Sequence, residues 1–178
     1  MLVQKSDPTG IDIVIAKIQG KVWNHLTNTA GWTDYNSYER VYKNPKGDDG
    51  RMIPELYEGN GDYREIYMND NELAESYFVV EDNRQFSEVF SVDVGYIFQV
   101  NLEGLYPSVV HRADEEAHKD AYLAILSAVS EKDISNLTTT IDDVYREFHI
   151  DQVRLTDMQP CHVFRYNFTV HYQYLCCK

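Results

Sequence analysis

The stretch EVFSVDVGYIFQVNL, residues 88–102, decides the fold. Phe90, Val92, Val94, Tyr96, Phe98, Val100 and Leu102 alternate on one face, the period of a strand. Ser91, Asp93, Gln99 and Asn101 fall on the other face. At roughly 3.3 Å per residue such a strand spans about 45–50 Å, against the usual ~17–20 Å. It must reach beyond a compact body or bend. The closing stretch CHVFRYNFTVHYQYLCC, 161–177, repeats the pattern. There Phe164, Tyr166, Phe168, Val170, Tyr172 and Tyr174 share one face, and Arg165, Asn167, Thr169, His171 and Gln173 share the other.

Helices are expected to cover the apolar faces. Ile11, Val14, Ile15, Ile18, Val22 and Leu26 recur at helical spacing and predict a helix over 8–28. Asp7 and Pro8 suit its cap and first turn, with Thr9 as a competing cap, and Gly31 suits its end. A second helix is expected over 112–131 and a short third over 140–148, where Thr140 and Asp143 stand in capping-box-like positions. Between the first two helices, 38–43, 51–58, 62–68 and 73–80 read as strands. GNG at 59–61 makes a hairpin of the middle pair, and Pro54 assigns 51–58 to a sheet edge. The expected architecture is a single α+β domain over 1–178, with an extra hairpin at about 51–68. Its sheet is mainly antiparallel, with long strands flanked by two long helices. Phe90, Val94, Phe98, Phe164, Phe168 and Tyr172 are expected to be buried beneath those helices.

Composition narrows the function. A formal net charge of −13 argues against a grip on nucleic acid, which needs Lys and Arg against phosphate. It does not argue against a surface past which DNA slides, because like charge discourages adhesion. No apolar run approaches the ~20 residues of a membrane span, and MLVQKSDPTG is too polar for a secretory signal. Three cysteines, Cys161, Cys176 and Cys177, make a poor disulfide framework and suit a reducing cytoplasm.

One segment carries chemistry. HRADEEAHKDAYLAIL, 111–126, places His111, Asp114, Glu115 and His118 within one helical arc. As a metal cluster these four would be the ligands of a metal-dependent enzyme. As a charged helix start or subunit contact, the acids simply favour the helix dipole. The second account is preferred, because His111 precedes the helix and no HExxH is present. GNGD at 59–62 contains GxG inside a hairpin, so its glycines serve a turn rather than a phosphate. The Tyr-rich hairpin, with Tyr63 and Tyr67, could stack on a ligand as a monomeric binding module; cross-strand Tyr pairing is the simpler account. No GxSxG elbow occurs, and His25, His149, His162 and His171 are scattered. No catalytic, cofactor-binding or metal residue is assigned, and no cofactor is expected.

The segments IDIVIAKIQGKVWNHLT with YNSYERVYKN (11–44), PELYEGNGDYREIYMND (54–70) and VNLEGLYP with HRADEEAHKDAYLAIL (100–126) resemble small virion proteins of tailed bacteriophages that infect Bacteroidetes, the crAss-like group included. The resemblance covers most of 11–130 and the closing strand. It implies a neck or tail ring component of the tail-terminator or head–tail-connector type. Such a protein is an α+β homo-oligomer of six or twelve copies around the DNA channel, in contact with portal, neck and tail proteins. It implies a place in the virion, after synthesis in the host cytoplasm, and no catalytic residues. The extra hairpin at 51–68 departs from smaller terminators. The channel wall is expected to be acidic, with Asp48, Asp49, Glu81 and Asp82 among its charges, and DNA passes without specific binding.

Overall fold

A computed structural model describes residues 1–46, 51–66, 72–81, 89–109, 113–148 and 160–173. In chain order the elements are α1 (Ile11–His25), continued by a π turn over Leu26–Ala30, then β1 (Tyr35–Arg40), β2 (Tyr42–Lys46), β3 (Arg51–Gly59), β4 (Asp62–Glu65) and β5 (Ala74–Val80). There follow β6 (Phe90–Asn101), α2 (Leu102–Leu105), α3 (Ala113–Leu126), a 3-10 turn at Glu131–Asp133, β7 (Ile134–Thr138), α4 (Ile141–Val144) and β8 (Cys161–Tyr172). The main sheet has the order β1-β5-β6-β8-β7, and a smaller sheet the order β2-β3-β4. Among the described strands only β1 and β5 pair in parallel, with one isolated parallel bridge at Leu2↔Ser37, so the α+β class and the mainly antiparallel sheet are as expected.

The two long strands form the middle of the main sheet. β6 and β8 pair over twelve residues, from Phe90↔Tyr172 to Asn101↔Cys161. Their neighbours are shorter: β5 pairs with β6 only as far as Val80↔Val94, and β7 with β8 only as far as Ile134↔Phe168. Among the described residues the β6–β8 ladder therefore outruns both flanking strands at one end. The apolar face packs as the alternation predicts. Val94, Phe98, Phe164, Phe168 and Tyr172 are buried with Ile11, Ile15, Ile18, Val22 and Leu26 of the first helix. Phe90 is only half-buried. From α3, Ala117, Ala121, Ala124 and Ile125 join this cluster. Three alanines let that helix lie close against the sheet. Phe98 stacks on Phe164 with ring centroids 5.0 Å apart, and Phe78 on Tyr96 at 3.8 Å.

The other face of the sheet is covered as well, where the alternation suggested a polar surface. Tyr77, Val79, Ile97 and Val163 meet Leu56 and Ile66 of the hairpin region and Val144, Tyr145 and Phe148 around α4. Polar side chains on this face must then find partners inside the protein. Arg165 is fully buried and reaches Glu147 through two hydrogen bonds, Nη1 to Oε2 at 2.6 Å and Nη2 to Oε1 at 2.7 Å. It also donates to Asn167 Oδ1 at 2.6 Å and to Glu81 Oε1 at 3.1 Å. Gly95 makes the room: a Cβ there would lie 2.2 Å from Arg165 Nε. Burial pushes the Glu147 carboxyl up, but the hydrogen bonds and charge of Arg165 outweigh it and hold it below the usual range.

Several boundaries differ from the sequence expectation, each for a local reason. The first helix begins at Ile11 rather than 8, because Gly10 takes φ 57° and ψ −126°, a conformation open to glycine. Gly31 ends the helical unit at φ 78°, as expected, and Trp32 N–H closes it on Leu26 O. Thr140 caps α4 with no side-chain hydrogen bond. β3 is the central strand of the small sheet, so Pro54 does not mark an edge. The carbonyl of Pro54 accepts from Ile66 N–H, which places its missing donor just beyond the end of β4. The strand expected at 38–43 is split at Val41, which joins β1 of the main sheet to β2 of the small one. Tyr67 and Tyr174 lie outside the described residues.

Phe98→Ala removes a ring at the centre of the ladder. It is expected to cost about 3–5 kcal/mol, read as a lower denaturant midpoint at an unchanged slope. A change within error would place this face of β6 outside the core.

Candidate functional site

The segment singled out in the sequence does frame a cavity, with a partner that the segment itself does not contain. His118 lies on the buried side of α3, and His162 stands on β8 opposite Val100. Their Nε2 atoms are 2.9 Å apart. The cavity is about 680 Å³ and lies among α3, β8 and the residues around β7. Asp114, Glu115, His118, Tyr122, His162 and Tyr166 line it. The Tyr166 hydroxyl donates to the backbone carbonyl of His118 at 2.9 Å, which fixes the helix to the strand. Phe164 packs edge-on against His118, with centroids 4.7 Å apart, and stacks with His162.

Two imidazoles at this distance share one proton between facing nitrogens. One ring donates its Nε2–H, and the other accepts with its lone pair. Burial lowers the pKa of both rings; Asp114 opposes the shift on each, Glu115 opposes it on His118, and His118 itself lowers His162 further. The folded pair is therefore neutral at neutral pH. A first proton preserves the bridge as N–H⁺···N, whereas a second sets two cations face to face. Among the described residues no group of three or more His, Cys, Asp or Glu is placed to hold a metal. His111, the fourth member of the expected arc, lies outside them. What the arrangement does chemically is join α3 to β8 through a proton.

His162 could have been found from the sequence. It shares parity with Phe164 and Tyr166, so it stands on the face that α3 must cover. The hairpin aromatics pair as expected: Tyr57 and Tyr63 are cross-strand partners with ring centroids 5.4 Å apart, and Tyr42 meets Tyr63 edge-on at 5.2 Å. The glycines of GNG take φ 103° and 88°, with Asn60 at 54°, which is a turn geometry. Glu81, expected on an acidic channel wall, is instead ion-paired with Arg165 and Arg146. Reversing it would break a core network. Asp48, Asp49 and Asp82, with His149, Cys176 and Cys177, lie outside the described residues.

A second feature is a groove of about 460 Å³ between α1 and β8. Val14 and Ile18 form one wall, Val129 and Val170 the floor, and Lys17 and Lys21 the rim. Among the described residues neither lysine has an ion-pair partner. On the second face, burial raises Glu75 to about 7, opposed by Arg64, whose Nη2 lies 2.8 Å from Oε2. No helix among the described residues is long and apolar enough to cross a membrane. No known family model matches this chain, and no curated protein matches it at a significant level.

The sign of the pH dependence follows from the two histidines. Their folded pKa values lie below the unfolded value of about 6.5, so the unfolded chain takes up protons first. Their contribution is complete above about 6.5 and is lost as pH falls through it. Glu75, raised in the fold, acts oppositely, so the pair is read as a difference. The stability advantage of wild type over His118→Gln/His162→Gln should shrink between about pH 7.5 and about pH 5. A difference independent of pH contradicts the neutral pair.

Proposed function

We propose that this chain is a structural virion protein of a tailed bacteriophage, forming a homo-oligomeric ring of six or twelve copies in the neck or tail, around the DNA channel. The observation that carries the proposal is the overhang of the β6–β8 ladder, which continues for four residue pairs past the last pairs of β5 and β7. At roughly 3.3 Å per residue this end reaches about 13 Å beyond the last β5 and β7 pairs among the described residues. A ladder end of this kind serves assembly, because another chain can add a strand where β7 stops. Head-to-tail contacts that close make a ring.

Two further features support the reading. The net charge of −13 suits a conduit, since each phosphate neutralised by Lys or Arg strengthens retention of DNA through counterion release. The sequence resemblance to neck and tail ring proteins supports a position in the virion neck or tail, in contact with portal, neck and tail proteins. Arg165 is spent on Glu147 and Glu81, and the buried hydroxyls of Tyr35, Ser76 and Tyr96 bond to each other at 2.6–3.3 Å.

Native mass spectrometry over a concentration series, with negative-stain imaging of the same samples, tests the proposal. A closed species of six or twelve copies with a central opening is expected. A strict monomer at every concentration, alone and with isolated phage necks, overturns it.

A further inference from the structure

We infer that the groove between α1 and the overhanging end of β8 receives an extended, acidic segment of a partner protein, laid beside β8 where β7 stops. Three observations meet there. The β7–β8 ladder ends at Ile134↔Phe168, and the chain before it leaves the ladder for a 3-10 turn at Glu131–Asp133, which stays close to β8, with Asp133 3.8 Å from His171 Nε2. Thr169, Val170 and His171 of β8 then line the groove with no strand on that side among the described residues. The groove holds about 460 Å³, enough for two or three aliphatic side chains.

An extended segment suits this shape better than a helix or a compact ligand. Added to a strand edge, it makes main-chain hydrogen bonds and turns alternate side chains to one face. That face would set its apolar residues on Val14, Ile18, Val129 and Val170. Charge chooses the segment. Lys17 and Lys21 stand one helical turn apart on the rim and, among the described residues, are unpaired in a chain of net charge −13. Asp133, 3.8 Å from His171 Nε2, holds the opposite rim and repels carboxylates there. The acidic residues of the segment therefore lie towards α1. Nucleic acid is a poor occupant, because phosphate gains nothing from an aliphatic floor.

The inference rests on the assembly reading only in taking the overhang as a place of contact; no ring is required. The test uses the full chain, isotope-labelled, with two peptide probes, acetyl-Glu-Val-Thr-Val-Glu-amide and acetyl-Lys-Val-Thr-Val-Lys-amide. The acidic peptide is expected to shift the amide resonances of Thr169 and His171 and the methyl resonances of Val14, Ile18 and Val129. The basic peptide should bind about fivefold more weakly, the scale of one or two exposed ion pairs. In Lys17→Glu/Lys21→Glu the preference should reverse. Absence of shifts at 169–171 with either peptide, or equal affinity unaltered by the reversal, overturns the inference. So does a reversal that changes the native mass while both peptides stay silent, which would make the groove a contact between copies. A monomeric chain that binds the acidic peptide keeps the inference and loses the ring; a ring that ignores the peptide does the opposite.

Discussion

The twelve-residue pairing of β6 with β8 is the constraint on which the rest depends. Both strands are central, so each must be compatible with burial on both faces. One face is met by helices, with Phe98 on Phe164 beneath Ala117 and Ala121. The other is met by the hairpin region and the turn around α4, which bring Leu56, Tyr145 and Phe148 onto Ile97 and Val163. Two hydrophobic clusters thus share a single ladder. Removing either strand would open both at once.

Polar residues inside that arrangement carry a cost unless each is answered. Arg165 is the severest case, since a guanidinium without a partner in the interior would destabilise by several kcal/mol. Its fork matches the Glu147 carboxylate, and the missing side chain at Gly95 leaves space for it. Gln99 is answered on one side: its Nε2 donates to the hydroxyls of Tyr77 and Tyr145, while its Oε1 is buried with no hydrogen-bond partner among the described residues. The His118–His162 bridge joins two polar rings on the helix side. These groups tie the two long strands to the elements packed on either face of the sheet.

The apolar halves of this design were legible in the sequence. Strict alternation through 90–102 and 164–174 fixed which residues share a face, and the stripe from Ile11 to Leu26 fixed what covers it. The second core was not legible, because Arg165, Asn167 and Gln99 mark only a polar second face until Glu147, Glu81 and Tyr145 arrive from distant parts of the chain. Burial of a charge depends on a partner, and partners far apart in sequence leave no periodic signal. β7 was missed for a related reason: Ser135, Asn136 and Leu137 are exposed on an edge strand and lack apolar alternation. The candidate site was half legible. Asp114, Glu115 and His118 line one cavity as the helical arc suggests, but their partner His162 comes from a strand 44 residues away.

Native-state hydrogen exchange on the full chain tests the role of the β6–β8 ladder most directly. Amides at 94–100 and 163–168, paired inside the sheet, should exchange only by global unfolding and be the slowest of the molecule. Those at 169–171, beyond the end of β7, should exchange earlier through local opening. Slower exchange in α1 or in the β2–β4 sheet, with β6 opening before them, would contradict the ladder as the structure's spine.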